Sequence, residues 1–383
     1  MRRRLALLAA AAAAVFVGAP GAEASRYIQP GIYDDAQILY GDPDFVFPKL
    51  AEMNTKLIRV NLWWAGPGIT VAPRRPTVAT DPDDPAYDWE TYDRTVRYAR
   101  IYGIKTVFAI LGTPRWANGG KSWNTAPVNP NDLRDFARAA ARRYSGTFLG
   151  PEGRLPAVRF WLAWNEPNNP VFLKPQFVRT NGRWVVRSAQ NYAKMCNAVV
   201  AGVKAVSRAN KVGCGVTAPR GNNNPNSPRV SVAPIAFLRA MKLAGAKGFD
   251  AYAHHPYYGK RKETPTTPPP PPPRGQPPTA VTLGNFQVLT TELRRLYGKK
   301  RIWVTEYGYQ TNPPDRLFGV TYTQQADYMR QAFLKLKANP LVDMFIWFLV
   351  RDEARSQGWQ SGVFTGRWQR KPAREIFENL LSP

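Results

Sequence analysis

Short apolar runs rich in Val, Ile, Leu, Phe and Trp alternate along this chain with amphipathic segments of helical period, and that alternation constrains the fold more than any motif. The pattern predicts strands near Gly31–Tyr33, Leu57–Leu62, Thr106–Leu111, Val158–Trp164, Val212–Thr217, Phe249–His254, Ile302–Thr305 and Met344–Leu349. Helical segments fill the gaps near Phe45–Met53, Trp89–Tyr102, Asp132–Tyr144, Ala189–Arg208, Ala233–Ala244, Leu283–Tyr297, Thr323–Ala338 and Ala373–Leu381. Strand and helix in strict alternation build parallel βαβ units, and a full set closes into a single (β/α)8 TIM barrel of the α/β class. An open doubly wound sheet would carry a Gly-rich phosphate turn after its first strand, and this chain has none.

The two ends of the barrel are expected to differ. Long connections rich in Pro, Trp and Asn follow several strands: Trp63–Tyr87, Thr113–Pro130, Pro167–Ser188 and Ala218–Pro228. Such βα loops crowd the carboxyl face and shape a cleft there. The connection after the sixth strand, residues 260–280, includes Pro265–Pro278 with an unbroken proline run from Pro268 to Pro273, an extended and stiff segment. It reads as an insertion rather than an interdomain linker, because the remaining strands and helices of the barrel follow at once.

Before Ser25 the chain has the layout of a cleavable export signal, with Arg2-Arg3-Arg4, an apolar stretch from Leu5 to Val17 and Ala22-Glu23-Ala24. That stretch is shorter than the roughly 20 residues a spanning helix needs. The expectation is a secreted protein, cut near Ala24-Ser25, with residues 25–383 forming the barrel domain and no stable membrane insertion. A net charge of +26 favours anionic partners such as acidic polysaccharide, although dispersed surface arginine gives the same figure. No nucleic-acid-binding motif appears. Cys196 and Cys214 fall on a helix and the next strand, where they form either a disulfide or two buried thiols. Two histidines leave little material for a zinc site, so no metal or cofactor is expected, and one complete barrel needs no second copy.

Two glutamates stand where strand-like runs give way to loops: Glu166 in Trp164-Asn165-Glu166-Pro167-Asn168 and Glu306 in Thr305-Glu306-Tyr307-Gly308. Carboxyl ends of parallel strands are where barrels do chemistry. Hydrolysis of an acetal needs one carboxyl to protonate the leaving oxygen and a second to attack or to activate water, and this pair meets the requirement. Arg59 lies inside an apolar strand, where it must be paired, and a carboxylate nucleophile is a suitable partner. Asn165 can donate to a sugar hydroxyl. In His254-His255-Pro256-Tyr257 the tyrosine can hold the nucleophile and a histidine the leaving side. Trp347 on the eighth strand and Trp116 on a loop offer aromatic platforms, with barrel core as the alternative for Trp347.

Arg59, Asn165-Glu166, His255 with Tyr257, Glu306 and Trp347, in that order on strands two, four, six, seven and eight, resemble the pattern of clan A glycoside hydrolases. The resemblance runs through nearly all of residues 25–383. Within the clan, Gly112-Thr113-Pro114-Arg115-Trp116, Gly358-Trp359-Gln360-Ser361-Gly362 and Lys371-Pro372-Ala373 are most similar to family 39 and its family 5 neighbours. It implies a retaining mechanism with Glu166 as acid/base, Glu306 as nucleophile, and Arg59, Trp116, Asn165, His255, Tyr257 and Trp347 around the substrate. The expected activity is cleavage of O-glycosidic bonds in a poly- or oligosaccharide, possibly an anionic one. Two other readings need the same fold: a catalytically silent carbohydrate-binding barrel, and a transglycosylase at the cell envelope.

Overall fold

The computed structural model describes residues 25, 27–354 and 358–382. The export signal expected at 1–24 lies outside them. Eight parallel strands close into a barrel: β1 (Gln29–Tyr33), β2 (Leu57–Trp63), β3 (Lys105–Leu111), β4 (Phe160–Ala163), β5 (Lys211–Thr217), β6 (Ala251–His254), β7 (Arg301–Tyr307) and β8 (Val342–Phe348). β1 pairs with both β2 and β8, which completes the ring. Outer helices follow each strand in turn: α1 (Pro43–Glu52), α2 (Glu90–Ile101), α3 (Pro130–Arg143), α4 (Arg187–Val206), α5 (Pro234–Leu243), α6 (Gln287–Tyr297), α7 (Tyr322–Lys337) and α8 (Pro372–Glu378). The alternation in the sequence thus appears as a (β/α)8 barrel. Two small hairpins, Leu149–Gly150 with Gly153–Arg154 and Val178–Thr180 with Arg183–Val185, decorate the loops around β4 and were not anticipated.

Strands covered on both faces need apolar residues at nearly every position. The side chains of such strands divide between two layers. Leu57, Val107, Leu162, Ala253, Trp303 and Ile346 fill the barrel interior, while Ile58, Phe108, Trp161, Val304 and Phe345 meet the helices outside it. Trp303 is the bulkiest interior residue, and Gly213 on β5 makes room for it: a Cβ there would lie 2.7 Å from the indole. Helix starts are set by local capping. Asn129 accepts from the Asn131 N–H ahead of α3, and Thr321 with Gln324 forms a reciprocal cap on α7.

Residues 260–280 run between β6 and α6, and the near end of this proline-rich segment lies on the barrel rather than projecting from it. Pro265 and Pro269 are buried, and the Pro265 carbonyl accepts from Lys335. Cys196 on α4 and Cys214 on β5 form a disulfide between two buried positions. A cross-link closing a loop of this length removes unfolded-chain entropy worth about 3 kcal/mol. The Cys196→Ala/Cys214→Ala protein should therefore unfold at lower urea than the parent, with a transition slope equal or steeper because the unfolded chain is no longer cross-linked. An unaltered midpoint would show that the bridge adds nothing to stability.

Candidate active site

The site grows from the carboxyl end of β4. That strand stops at Ala163, and the next turns are made in left-handed backbone, Trp164 at φ 73° and Glu166 at φ 37°. Conformations this rare outside glycine cost energy and persist only where surrounding bonds hold them. Each residue of the segment has such a bond. The Trp164 indole N–H donates to the Phe172 carbonyl (2.8 Å), and the Glu166 N–H donates to the Val216 carbonyl (2.8 Å). Asn168 is fully buried and staples the loop to Ala218 and Val232. Asn169 donates to Glu166 Oε2 (3.0 Å).

On β7 the pairing register with β8 slips between Val304 and Tyr307, an irregularity of the kind that re-aims side chains. Thr305 and Glu306, adjacent in sequence, consequently both reach the barrel mouth. Arg59 rises from β2 between them and β4 with its side chain wholly buried. It donates to Glu306 Oε1 (2.6 Å), to the Thr305 carbonyl (2.9 Å) and to Asn165 Oδ1 (2.6 Å), and Tyr33 lies under the guanidinium at 4.4 Å. Tyr257 donates to the other oxygen, Glu306 Oε2 (3.2 Å).

The doublet His254-His255 is resolved by a slip in the β5–β6 register after Ala253. His254 faces away from the mouth and bonds Thr217 and the Val281 carbonyl. His255 enters the site, with Nδ1 3.0 Å from Glu166 Oε1 and Nε2 3.0 Å from Thr305 Oγ1. Burial drives the His255 pKa down to about 3, so the imidazole is neutral and its contact with Glu166 is a hydrogen bond rather than an ion pair.

One oxygen from each of Glu166 and Glu306 and a nitrogen of His255 lie within 4.8 Å of one another. Such a trio has metal-ligand character, but the buried Arg59 cation occupies the side of Glu306 that an ion would share. Both carboxylates line a cavity of about 680 Å³, together with Tyr33, Arg220, Phe348 and Trp359. Burial, the dominant cause, raises the Glu166 pKa to about 7, against the lowering effects of Asn169 and Arg59. Glu166 thus carries a proton near neutrality beside a second carboxyl held by a guanidinium and a phenol. That combination can donate a proton and attack an electrophilic carbon in one enclosure.

Of the residues expected at the site, Arg59, Asn165, Glu166, His255, Tyr257 and Glu306 are brought together. Trp347 is not. It points outward from β8, with its ring against Tyr307 and Phe345 and its indole N–H on the Ser361 carbonyl (2.8 Å). Strand side chains alternate, so the cavity receives the next residue, Phe348. Trp116 is not brought there either: its N–H is spent on the Ala72 carbonyl (2.9 Å), its ring meets Trp64 and Arg75 covers it at 4.6 Å. Two exposed aromatics line the cavity, Phe318 (37% accessible) and Trp359, which is 42% accessible and in contact with Tyr257 and Phe348. Trp359 lies within a sequence motif already noted, whereas Tyr33, Asn169 and Arg220 had no distinguishing pattern.

Residues 281–369 match a family model described as glycosyl hydrolase catalytic core. No curated protein matches the sequence. Among solved structures, a family 39 glycoside hydrolase from Bacteroides cellulosilyticus WH2 is similar over 94% of this chain, with a TM-score of 0.63 and 18% identity. The chain spans 64% of that protein's length. A glucosidase from Croceicoccus marinus (TM-score 0.63, 15% identity, 93% of this chain and 69% of that one) and a β-xylosidase from Caulobacter crescentus CB15 (0.59, 17%, 94% and 69%) share the barrel. The similarity to clan A glycoside hydrolases read from the sequence is therefore present, and at these identities the structural likeness establishes the fold.

The charge state of Glu166 is open to direct measurement. A carbon-13 NMR titration should place its carboxyl near pH 7, and Asn169→Leu, which removes a donor to the charged form, should move the midpoint upward. A midpoint in the usual carboxylate range near 4.3 would contradict the enclosure described here.

Proposed function

We propose that this protein is a secreted, retaining glycoside hydrolase that cleaves O-glycosidic bonds of a poly- or oligosaccharide by double displacement. The observation that carries the proposal is the approach of Glu166 and Glu306 to within 4.8 Å in one cavity, Glu306 against the Arg59 guanidinium and Glu166 against Asn169 and a neutral His255. Retaining enzymes hold their carboxyl groups about 5–5.5 Å apart, whereas inverting enzymes need about 6.5–9.5 Å to seat a water.

In the first step Glu166 gives its proton to the glycosidic oxygen, the bond from that oxygen to the anomeric carbon breaks, and a Glu306 oxygen bonds to the carbon. In the second, ionised Glu166 takes a proton from water, the water oxygen bonds to the anomeric carbon, and Glu306 leaves as a carboxylate. Arg59 and Tyr257 donate to the two Glu306 oxygens and stabilise that departing charge. His255 stays neutral, so it orients Glu166 through a hydrogen bond without placing a full charge beside it. The Arg59 bond to Asn165 Oδ1 leaves the Asn165 amide N–H groups for a sugar hydroxyl. Trp359 offers an aromatic face at the cavity wall. Export is supported by the layout of residues 1–24 and by the disulfide, a bond that persists in oxidising compartments.

Turnover on a glycan panel followed by proton NMR should show the product formed first with the anomeric configuration of the substrate; an inverted product would overturn the double displacement. With substrates whose leaving group needs a proton, kcat/KM should fall about tenfold per pH unit above about 7, as Glu166 loses its proton. Glu166→Ala should lower kcat by about 10²–10⁴-fold on such substrates, with smaller loss for good leaving groups and rescue by azide. Trp359→Ala should raise KM by about tenfold with kcat little changed; an unaltered KM would remove Trp359 from the substrate.

A further inference from the structure

We propose that a second cavity on the carboxyl face, of about 430 Å³, is a distal subsite for a carboxylate-bearing sugar, which makes the substrate an acidic glycan long enough to span both cavities. This inference rests on the glycoside hydrolase reading of the neighbouring site and deepens it.

The cavity lies between the loops that follow β2 and β3, and Thr113, Arg115, Lys121 and Trp123 line it. No Asp or Glu does. Arg115 and Lys121 are exposed, and among the described residues neither side chain has a hydrogen-bond or ion-pair partner. Solvated surface cations are common and by themselves mean little. Here they flank a concave site that also holds a half-buried indole whose N–H has no partner among the described residues. Thr113 adds a buried hydroxyl that is likewise unpartnered. Donors without acceptors, beside an aromatic ring, are what an anionic sugar would complete: its ring against the indole, its charge on the cations.

The subsite shares a wall with the catalytic cavity. Asn124 donates to the Val171 carbonyl (2.9 Å), Lys174 N–H donates to the Asn124 carbonyl (2.8 Å), and the Trp123 and Phe172 rings lie 6.2 Å apart. Val171 and Phe172 are walls of the catalytic cavity. A chain entering past Phe172 therefore meets the cationic pocket next. A planar carboxylate matches the guanidinium fork in two parallel bonds; a sulfate ester is the other oxyanion that could do so, and sulfated fragments distinguish the two in the test.

The test is calorimetric binding to the full chain carrying Glu306→Gln, which separates recognition from turnover. The ligands are fragments of glucuronoxylan, galacturonan and alginate, neutral oligosaccharides of matched length, and sulfated galactan fragments. At least one uronate fragment should bind more tightly than its neutral counterpart, lose affinity with added salt, and bind about tenfold more weakly once Arg115→Ala/Lys121→Ala is added. Neutral fragments should be unaffected by those two changes. Unchanged uronate affinity in the double variant, or no preference for uronate over neutral fragments, would overturn the subsite. An equal or larger loss for sulfated fragments would overturn the carboxylate assignment. Short aryl glycosides, too small to leave the catalytic cavity, report on the other reading: with Glu306 intact, Arg115→Ala/Lys121→Ala should turn them over at the parental rate. If the parent turns over none of the glycosides or glycans while uronate binding still depends on Arg115 and Lys121, the catalytic reading fails and the subsite stands.

Discussion

A single buried cation organises this barrel mouth. Arg59 has no exposed side-chain surface, and its guanidinium reaches β7 through Glu306 and the Thr305 carbonyl and β4 through Asn165. An arginine on β2 therefore fixes the two elements that carry the carboxylates. The arrangement is costly to break from either side, because removing one partner of a buried pair strands the other's charge, typically at about 3–5 kcal/mol. The same dependence gives the site its rigidity: Glu306 is clamped at one oxygen by Arg59 and touched at the other by Tyr257.

Around that cation the two carboxyls are driven toward different chemistry by position alone. Glu306 sits against the guanidinium, with Oε1 2.6 Å from Arg59 Nη1. Glu166 receives Asn169 and a neutral histidine, neither of which supplies a full charge, and burial raises its pKa to about 7. The division follows from the backbone. The left-handed residues after β4 carry Glu166 beyond the strand end to Asn169 and His255, while the slip in β7 keeps Glu306 beside Arg59. Two acids of one type come to face different partners because of where each chain segment leaves its strand.

The strand and helix order was legible because it depends on periodicities of two and 3.6, and the barrel strands appear where those periodicities fall, with ends displaced by at most two residues. The two glutamates, Arg59, Asn165 and Tyr257 were legible because polar residues at the ends of apolar strands have few places to go. Trp347 was misplaced for the opposite reason. An aromatic at a strand end is equally at home on either face, and a shift of one position exchanges cavity for core; Phe348 holds the place by the cavity. The doublet at 254 and 255 posed the same ambiguity, settled by a register slip that no local pattern announces. Trp116 was read as a platform for substrate because a large aromatic on a loop needs something to stack on it, yet Arg75 and Trp64 enclose it from segments distant in sequence. Asn169, Tyr33 and the cationic pocket at Arg115 and Lys121 became visible only once the loops were folded against one another.

The central claim is that Glu306 becomes covalently bonded to the sugar. Incubation with activated 2-deoxy-2-fluoro glycosides, which slow the second step more than the first, followed by peptide mass spectrometry, tests it most directly. The account expects one adduct of the fluorosugar mass on the peptide containing Glu306, absent from Glu306→Gln. An adduct on Glu166 instead, or hydrolysis of the parent glycosides with no adduct at any carboxylate, would contradict it.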